Sequence, residues 1–123
     1  MIQIKIEINN KTFMAELNST KTASLFAGRL PMDIELSRWG DEYYGDCYVT
    51  PDNSDPAKEI MEIGELAVWA PGKAFCIFFG KTPASTGDEP RAASAVVSIG
   101  KIKTEIAKLK PLGGRVSAKI SVI

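Results

Sequence analysis

Six consecutive apolar residues, Ala74–Phe79, constrain this chain more than any other stretch. A strand with one wet face alternates apolar and polar side chains. A strand that is apolar at every position is covered on both faces. A second apolar run, Leu66–Trp69, precedes it, and Ala70-Pro71-Gly72-Lys73 lies between them. Pro71 presets φ at the first central turn position, and Gly72 tolerates positive φ at the next, so the two runs read as a hairpin. Gly80 stops the second run, and Lys81-Thr82-Pro83-Ala84-Ser85 leads into a polar loop. The stretch from Gly64 to Ser85 is therefore expected at the centre of the fold, with its loop ends beside any functional surface.

The rest of the chain supplies strands that alternate. Ile2, Ile4, Ile6 and Ile8 form one apolar face, Asn9-Asn10-Lys11 turns the chain, and Phe13, Ala15 and Leu17 continue as a hairpin partner. Asn18-Ser19-Thr20 offers an N-cap for a short helix over Lys21 to Gly28, stopped by Gly28 and Pro31. Ile34 and Leu36 mark a third strand. Trp39-Gly40-Asp41-Glu42 bends the chain, and Tyr43–Val49 makes a fourth strand with a glycine kink. Thr50 to Pro56 is loop, and Ala57 to Met61 is expected to form one helical turn. After the central hairpin, Thr82 to Arg91 is loop and Ser94–Ile99 is a strand. Ile102, Ile106 and Leu109 recur at helical spacing and predict an amphipathic helix of about two turns. Val116, Ala118, Ile120 and Val122 alternate in the last strand.

This pattern gives eight strands and two short helices in a mainly β chain. Eight strands can close into a barrel whose interior side chains just fill, and closure removes the exposed edges that short apolar strands cannot tolerate. Pairing of the first and last strands would close it. At 123 residues the chain fits one compact domain, 1–123.

Charge and cysteine usage narrow the function. Formal net charge is +0, which favours neither nucleic acid nor an anionic membrane as partner. Between Asp33 and Glu65 ten acids face two bases, and from Lys101 onward six bases face one acid. Two solvated surfaces of opposite sign account for this, with head-to-tail self-association as the sharper alternative. No apolar run approaches the ~18 residues of a membrane span, and the alternating N-terminus is unlike a signal peptide, so a cytoplasmic location is expected. Cys47 and Cys76 are too few for a disulfide scaffold. The Asn10 and Asn18 glycosylation patterns then read as turn residues.

Candidate site residues follow from residue type. Arg38 can clamp a carboxylate or phosphate in bidentate fashion, or pair with Glu42 or Asp41 at the surface. Trp39, Tyr43, Tyr44, Trp69, Phe78 and Phe79 can line a groove or fill the core. Thr82, Ser85 and Thr86 lie in a loop after a buried strand, where sites are often carried. The chain has no histidine, so a hydroxyl nucleophile of the usual triad form is excluded. Asp52-Asn53-Ser54-Asp55 lacks the spacing of an EF-hand, the two cysteines are too distant for zinc, and no phosphate-binding glycine loop occurs. No metal and no cofactor is expected.

Three segments together resemble a known family. They are R-W-G-D-E-Y-Y over 38–44, G-E-L-A-V-W-A-P-G-K-A-F-C-I-F-F-G-K-T-P over 64–83, and A-S-A-V-V-S-I-G-K-I over 93–102. They are similar to the small cyclophilin-like domains of archaea and bacteria, stand-alone proteins of about this size whose function is not established. The resemblance implies a closed eight-stranded barrel with two helices. Cyclophilins isomerise X-Pro bonds with an arginine on the barrel's outer face and an apolar proline pocket, and their signature is F-H-R followed by Q-G-G-D. This chain lacks that signature. Arg38 falls at the matching place in strand order, but it shares the phase of Ile34 and Leu36. That phase points it to the barrel's end rather than to an outer groove.

The expected function is a binding domain for a small anionic or peptidic ligand, held by Arg38, Glu42 and Tyr44 with Trp39, Phe79 and Thr82 nearby. A prolyl isomerase with a non-standard site is the enzymatic alternative. A structural subunit that forms a homo-oligomer is the third.

Overall fold

A computed structural model describes residues 1–123. Nine strands form: β1 (Gln3–Ile8), β2 (Lys11–Leu17), β3 (Met32–Arg38), β4 (Glu42–Asp46), β5 (Lys58–Ile60), β6 (Glu65–Trp69), β7 (Ala74–Phe78), β8 (Arg91–Ile102) and β9 (Arg115–Val122). One α-helix, α1 (Lys21–Ala27), and one 3-10 turn (Ile106–Leu109) complete the secondary structure. Thr20 caps α1, its hydroxyl accepting from the Ala23 N–H.

Eight strands close on themselves in the order β2-β1-β9-β3-β4-β7-β6-β8 and back to β2. The first and last strands pair as expected, with Ile6 opposite Ile120. The ring closes at a second seam, where β2 meets the end of β8 and Ala15 lies opposite Ile102. Alternation sets which side chains enter. Ile4, Ile6 and Ile8 of β1, Phe13, Ala15 and Leu17 of β2, and Ile34 and Leu36 of β3 all join one interior cluster of 24 residues. Phe26 of α1 enters the same cluster and stacks on Phe75 at 5.0 Å.

The all-apolar strand β7 is buried at every position. Phe75 and Ile77 point into the ring, while Cys76 and Phe78 belong to a second, outer cluster with Met61, Ala67, Ala92 and Val96. The doubly covered strand is thus the one the sequence marks. Its cover comes from the ninth strand, β5, which hangs on β8 outside the ring and places Met61 over the outer face.

The fourth strand ends at Asp46 rather than Val49, and three further local expectations change. Ala57 to Met61 is not a helical turn: Lys58–Ile60 pairs with β8, and the Met61 N–H reaches the Pro90 carbonyl at 2.9 Å. The helix predicted from Ile102 shrinks to the 3-10 turn at Ile106–Leu109. Ile102 ends β8, its N–H bonded to the Gly64 carbonyl, and the Lys103 N–H goes to Met14. The helical spacing of Ile102, Ile106 and Leu109 is shared between two elements that both face the core. In the central turn, Lys73 rather than Gly72 takes positive φ, at 47°. Gly72 is needed for another reason: a Cβ there would lie 3.1 Å from the Trp69 ring. No helix is long and apolar enough to cross a membrane.

Candidate functional site

Alternation in β4 turns Tyr43 inward, where it joins the interior cluster, and turns Glu42 and Tyr44 outward. The bend before β4 is tight: the Trp39 and Glu42 backbones exchange hydrogen bonds at 2.8 and 3.2 Å. Gly40 makes it possible. Its φ is +62°, and a Cβ there would sit 2.9 Å from Thr82 Cα and Pro83 Cδ. The bend therefore docks on the segment after β7, and the Asp41 N–H donates to the Lys81 carbonyl at 2.8 Å.

Trp39, Glu42 and Tyr44 face a cleft of about 280 Å³ on the outer face of the ring. Trp69 of β6, Cys76 of β7 and Ala92, Ala93 and Val96 of β8 form the remainder of its lining. The Trp69 indole N–H donates to the Ser94 hydroxyl at 2.7 Å, which fixes the ring. Seven of the eight lining residues are hydrophobic, and Glu42 is the eighth.

Glu42 is 5% exposed, yet no lysine or arginine pairs with it. Burial pushes its carboxyl up from the ordinary 4.5 to about 7, with the neighbouring Cys76 thiol working the other way. Burial, reinforced by the Glu42 charge, raises the Cys76 thiol well above its usual range. That thiol is a neutral wall of the cleft rather than a nucleophile. The carboxyl is a different matter. At neutral pH it stands near half-ionisation, able to donate, accept or carry charge.

Of the six residues singled out from sequence, the fold gathers three and separates three. Arg38 lies at the end of the ring, as its phase requires. Its guanidinium donates to the carbonyls of Gly40, Lys110 and Leu112 at 2.7–2.8 Å and to Asp41 Oδ1 at 2.7 Å. It also sits 5.0 Å from the Phe79 ring centroid. Of the two readings of Arg38, the pair with Asp41 is the one seen. Phe79 is a core residue stacked on Tyr43 at 5.5 Å. Thr82 is buried, and its hydroxyl donates to the Arg91 carbonyl at 2.5 Å. The loop that follows is held by Glu89, which accepts from the Thr86 and Gly87 N–H groups and from Arg91. These contacts drop the Glu89 carboxyl from 4.5 to about 2.

Cys76, Ala92, Ala93 and Val96 were not singled out as site residues. Cys76 was legible in principle, since a doubly covered strand must place alternate residues outside the ring. The β8 residues carry no such signal, because small apolar side chains in a strand read as packing. Elsewhere, Asp55 accepts from the Lys21 and Thr22 N–H groups at the start of α1, and Asp52 accepts from Ser54. No group of three or more His, Cys, Asp or Glu side chains stands close enough to hold a metal ion.

Comparison with known proteins places this geometry. No curated protein matches the chain in sequence. The solution structure of the hypothetical protein AF2241 from Archaeoglobus fulgidus superposes with a TM-score of 0.80 at 34% identity, over 99% of this chain and 95% of that one. The structure of McbB in complex with tryptophan superposes with a TM-score of 0.66 at 12% identity, over 97% of this chain but 44% of that one, a likeness of fold alone. Residues 2–121 match the family described as Cyclophilin-like. With eight antiparallel strands closed around one core and that match spanning nearly its whole length, the chain belongs to the Cyclophilin-like family.

Proposed function

We propose that this protein is a binding domain for a small, largely apolar molecule or a short peptidic group, with the outer-face cleft as its site. The observation that carries the reading is the wall. Trp39, Tyr44 and Trp69 surround about 280 Å³ on a sheet whose strands are packed on their inner face by the main core. Pockets that take small ligands are concave, mostly apolar and hold few polar groups. The volume is at the small end of the range, which suits one or two rings. The anionic ligand expected from Arg38 finds no cation in this cleft, since no arginine or lysine lines it. The same fact weighs against the isomerase alternative, whose donor arginine would have to face the groove. Two unbonded cysteines fit a reducing compartment, and the cytoplasm is part of the proposal.

Both tryptophans of the chain line the cleft, so intrinsic fluorescence reports on it directly. A library of one- and two-ring fragments is expected to yield ligands that shift the tryptophan emission. Ala93 is exposed on β8, and Ala93→Phe would fill the cleft without disturbing the core. Binding of such fragments is expected to weaken by about ten-fold or more in that variant, a loss of about 1.4 kcal/mol or more. Unchanged affinity in Ala93→Phe, or a library that leaves the emission untouched, overturns the proposal.

A further inference from the structure

The one carboxyl group in the cleft specifies more than shape. Glu42 is buried among tryptophan, tyrosine and alanine side chains and has no protein cation for a partner. No cation lines the cleft, and those of the neighbouring segments pair with other acids. Arg38 and Lys110 pair with Asp41, Lys58 pairs with Glu65, and Arg91 pairs with Glu89 and Glu59. A buried carboxylate is tolerated when something pairs with it, and its isolation costs free energy. The aromatic faces around it add attraction for positive charge.

We propose that the ligand of this cleft is an ammonium cation on a flat apolar body, its N–H groups donated to the Glu42 carboxylate while its ring lies between Trp39, Tyr44 and Trp69. This deepens the binding-domain reading and rests on the cleft being the site. Such a cation would convert Glu42 to its ionised form, so binding near neutral pH releases a proton from the protein. The titratable groups facing Glu42 are Cys76 on β7 and Tyr44 on its own strand; β6 and β8 present only Trp69, Ala92, Ala93 and Val96. Cys76 is held neutral by burial. The proton therefore comes from Glu42.

Three probes of matched size decide the matter: phenethylamine, 2-phenylethanol and 3-phenylpropionate. Affinities are measured by tryptophan fluorescence and by calorimetry in two buffers of different ionisation heat. Measurements are made at about 1.5 pH units above and below the Glu42 value of about 7. The amine is expected to bind about ten-fold or more tighter than the alcohol at the higher pH, with the advantage shrinking at the lower pH. The propionate is expected to bind weakest. Calorimetry near pH 7 is expected to show proton release with the amine alone, a readout that needs no variant. Glu42→Gln has the shape of the protonated acid and is expected to remove the amine's advantage while leaving alcohol binding in place. If the alcohol or the propionate binds as well as the amine, and Ala93→Phe still blocks it, the ammonium assignment fails and the cleft stands. If none of the three binds at millimolar concentration, the ammonium assignment fails. The fragment library then decides separately on the cleft.

Discussion

Glu42 carries a cost that the rest of the molecule must offset, and the sign of that cost is measurable. Its carboxyl holds a proton more tightly folded, at about 7, than in the unfolded chain near 4.5, because burial disfavours the charge. Below the unfolded value both states are protonated and the group costs nothing. Between 4.5 and about 7 the folded state binds more protons, so stability falls as pH rises, and above that the full cost stands. At 1.36 kcal/mol per pH unit the cost is about 3 kcal/mol. Glu42→Gln is expected to be more stable than the parent above neutral pH by up to that amount and near parity with it at about pH 4.5. Urea unfolding across the pH range checks this. A wild-type stability that rises through pH 4.5–7 while the variant's stays level would show that the carboxyl is paired rather than stranded. The sequence marked Glu42 as a ligand-holding residue beside Arg38 and Tyr44. It could not show the isolation, because a carboxylate on an alternating strand ordinarily faces water. Here only the start of the outward face of β4 is covered, at Glu42, while Tyr44 two residues on is 41% exposed.

Elements explain why Arg38 looked like a ligand clamp and stands as a fastener. β3 ends at Arg38, and three segments meet there: the bend at 39–42, the chain after the 3-10 turn, and the core edge at Phe79. One guanidinium serves all three because its donors fan out in a rigid plane. Removing it leaves the Leu112 carbonyl unmet at a half-buried site, while the exposed Lys110 carbonyl turns to water. Arg38→Ala is expected to destabilise the fold by roughly 2–4 kcal/mol, and Arg38→Lys to recover only part of that loss. Cleft affinity, measured well below the lowered melting temperature, is expected to weaken only in step with the loss of stability, because Arg38 fastens the bend that carries Trp39 and Glu42 without itself lining the cleft. A large affinity loss with little loss of stability would return Arg38 to the ligand. The alternation of β3 was enough to place this side chain at the end of the ring. The same rule located the core faces of β1, β2 and β9, and its absence marked the double cover of β7. It failed where one apolar pattern spanned two elements, as at Ile102–Leu109, and where β5 formed from an exposed triplet whose pairing depends on β8. Register with a distant strand leaves no local trace.

On the scale of the whole molecule, closure resolves the uneven charge along the sequence. The acid-rich middle and the base-rich tail are far apart in the chain but adjacent in the ring, since β9 lies against β3 and β8 against β6. Glu35 meets Arg115, Asp41 meets Lys110, and Glu62 meets Lys101 at 2.6 Å. Three of the ten acids between Asp33 and Glu65 thus meet three of the six bases from Lys101 onward within one molecule. What remains is mostly surface charge, where attraction across water is worth little. Such attraction is screened by salt, with a Debye length near 10 Å at about 0.1 M and near 30 Å at about 0.01 M. Sedimentation at those two ionic strengths is expected to give the same mass at each protein concentration. A mass that grows as salt is withdrawn would mean that enough of each charged surface stays unpaired to bind its opposite on a second copy, and the most exposed members of these pairs, Glu35, Glu62, Lys110 and Arg115, would be the first to reverse in sign.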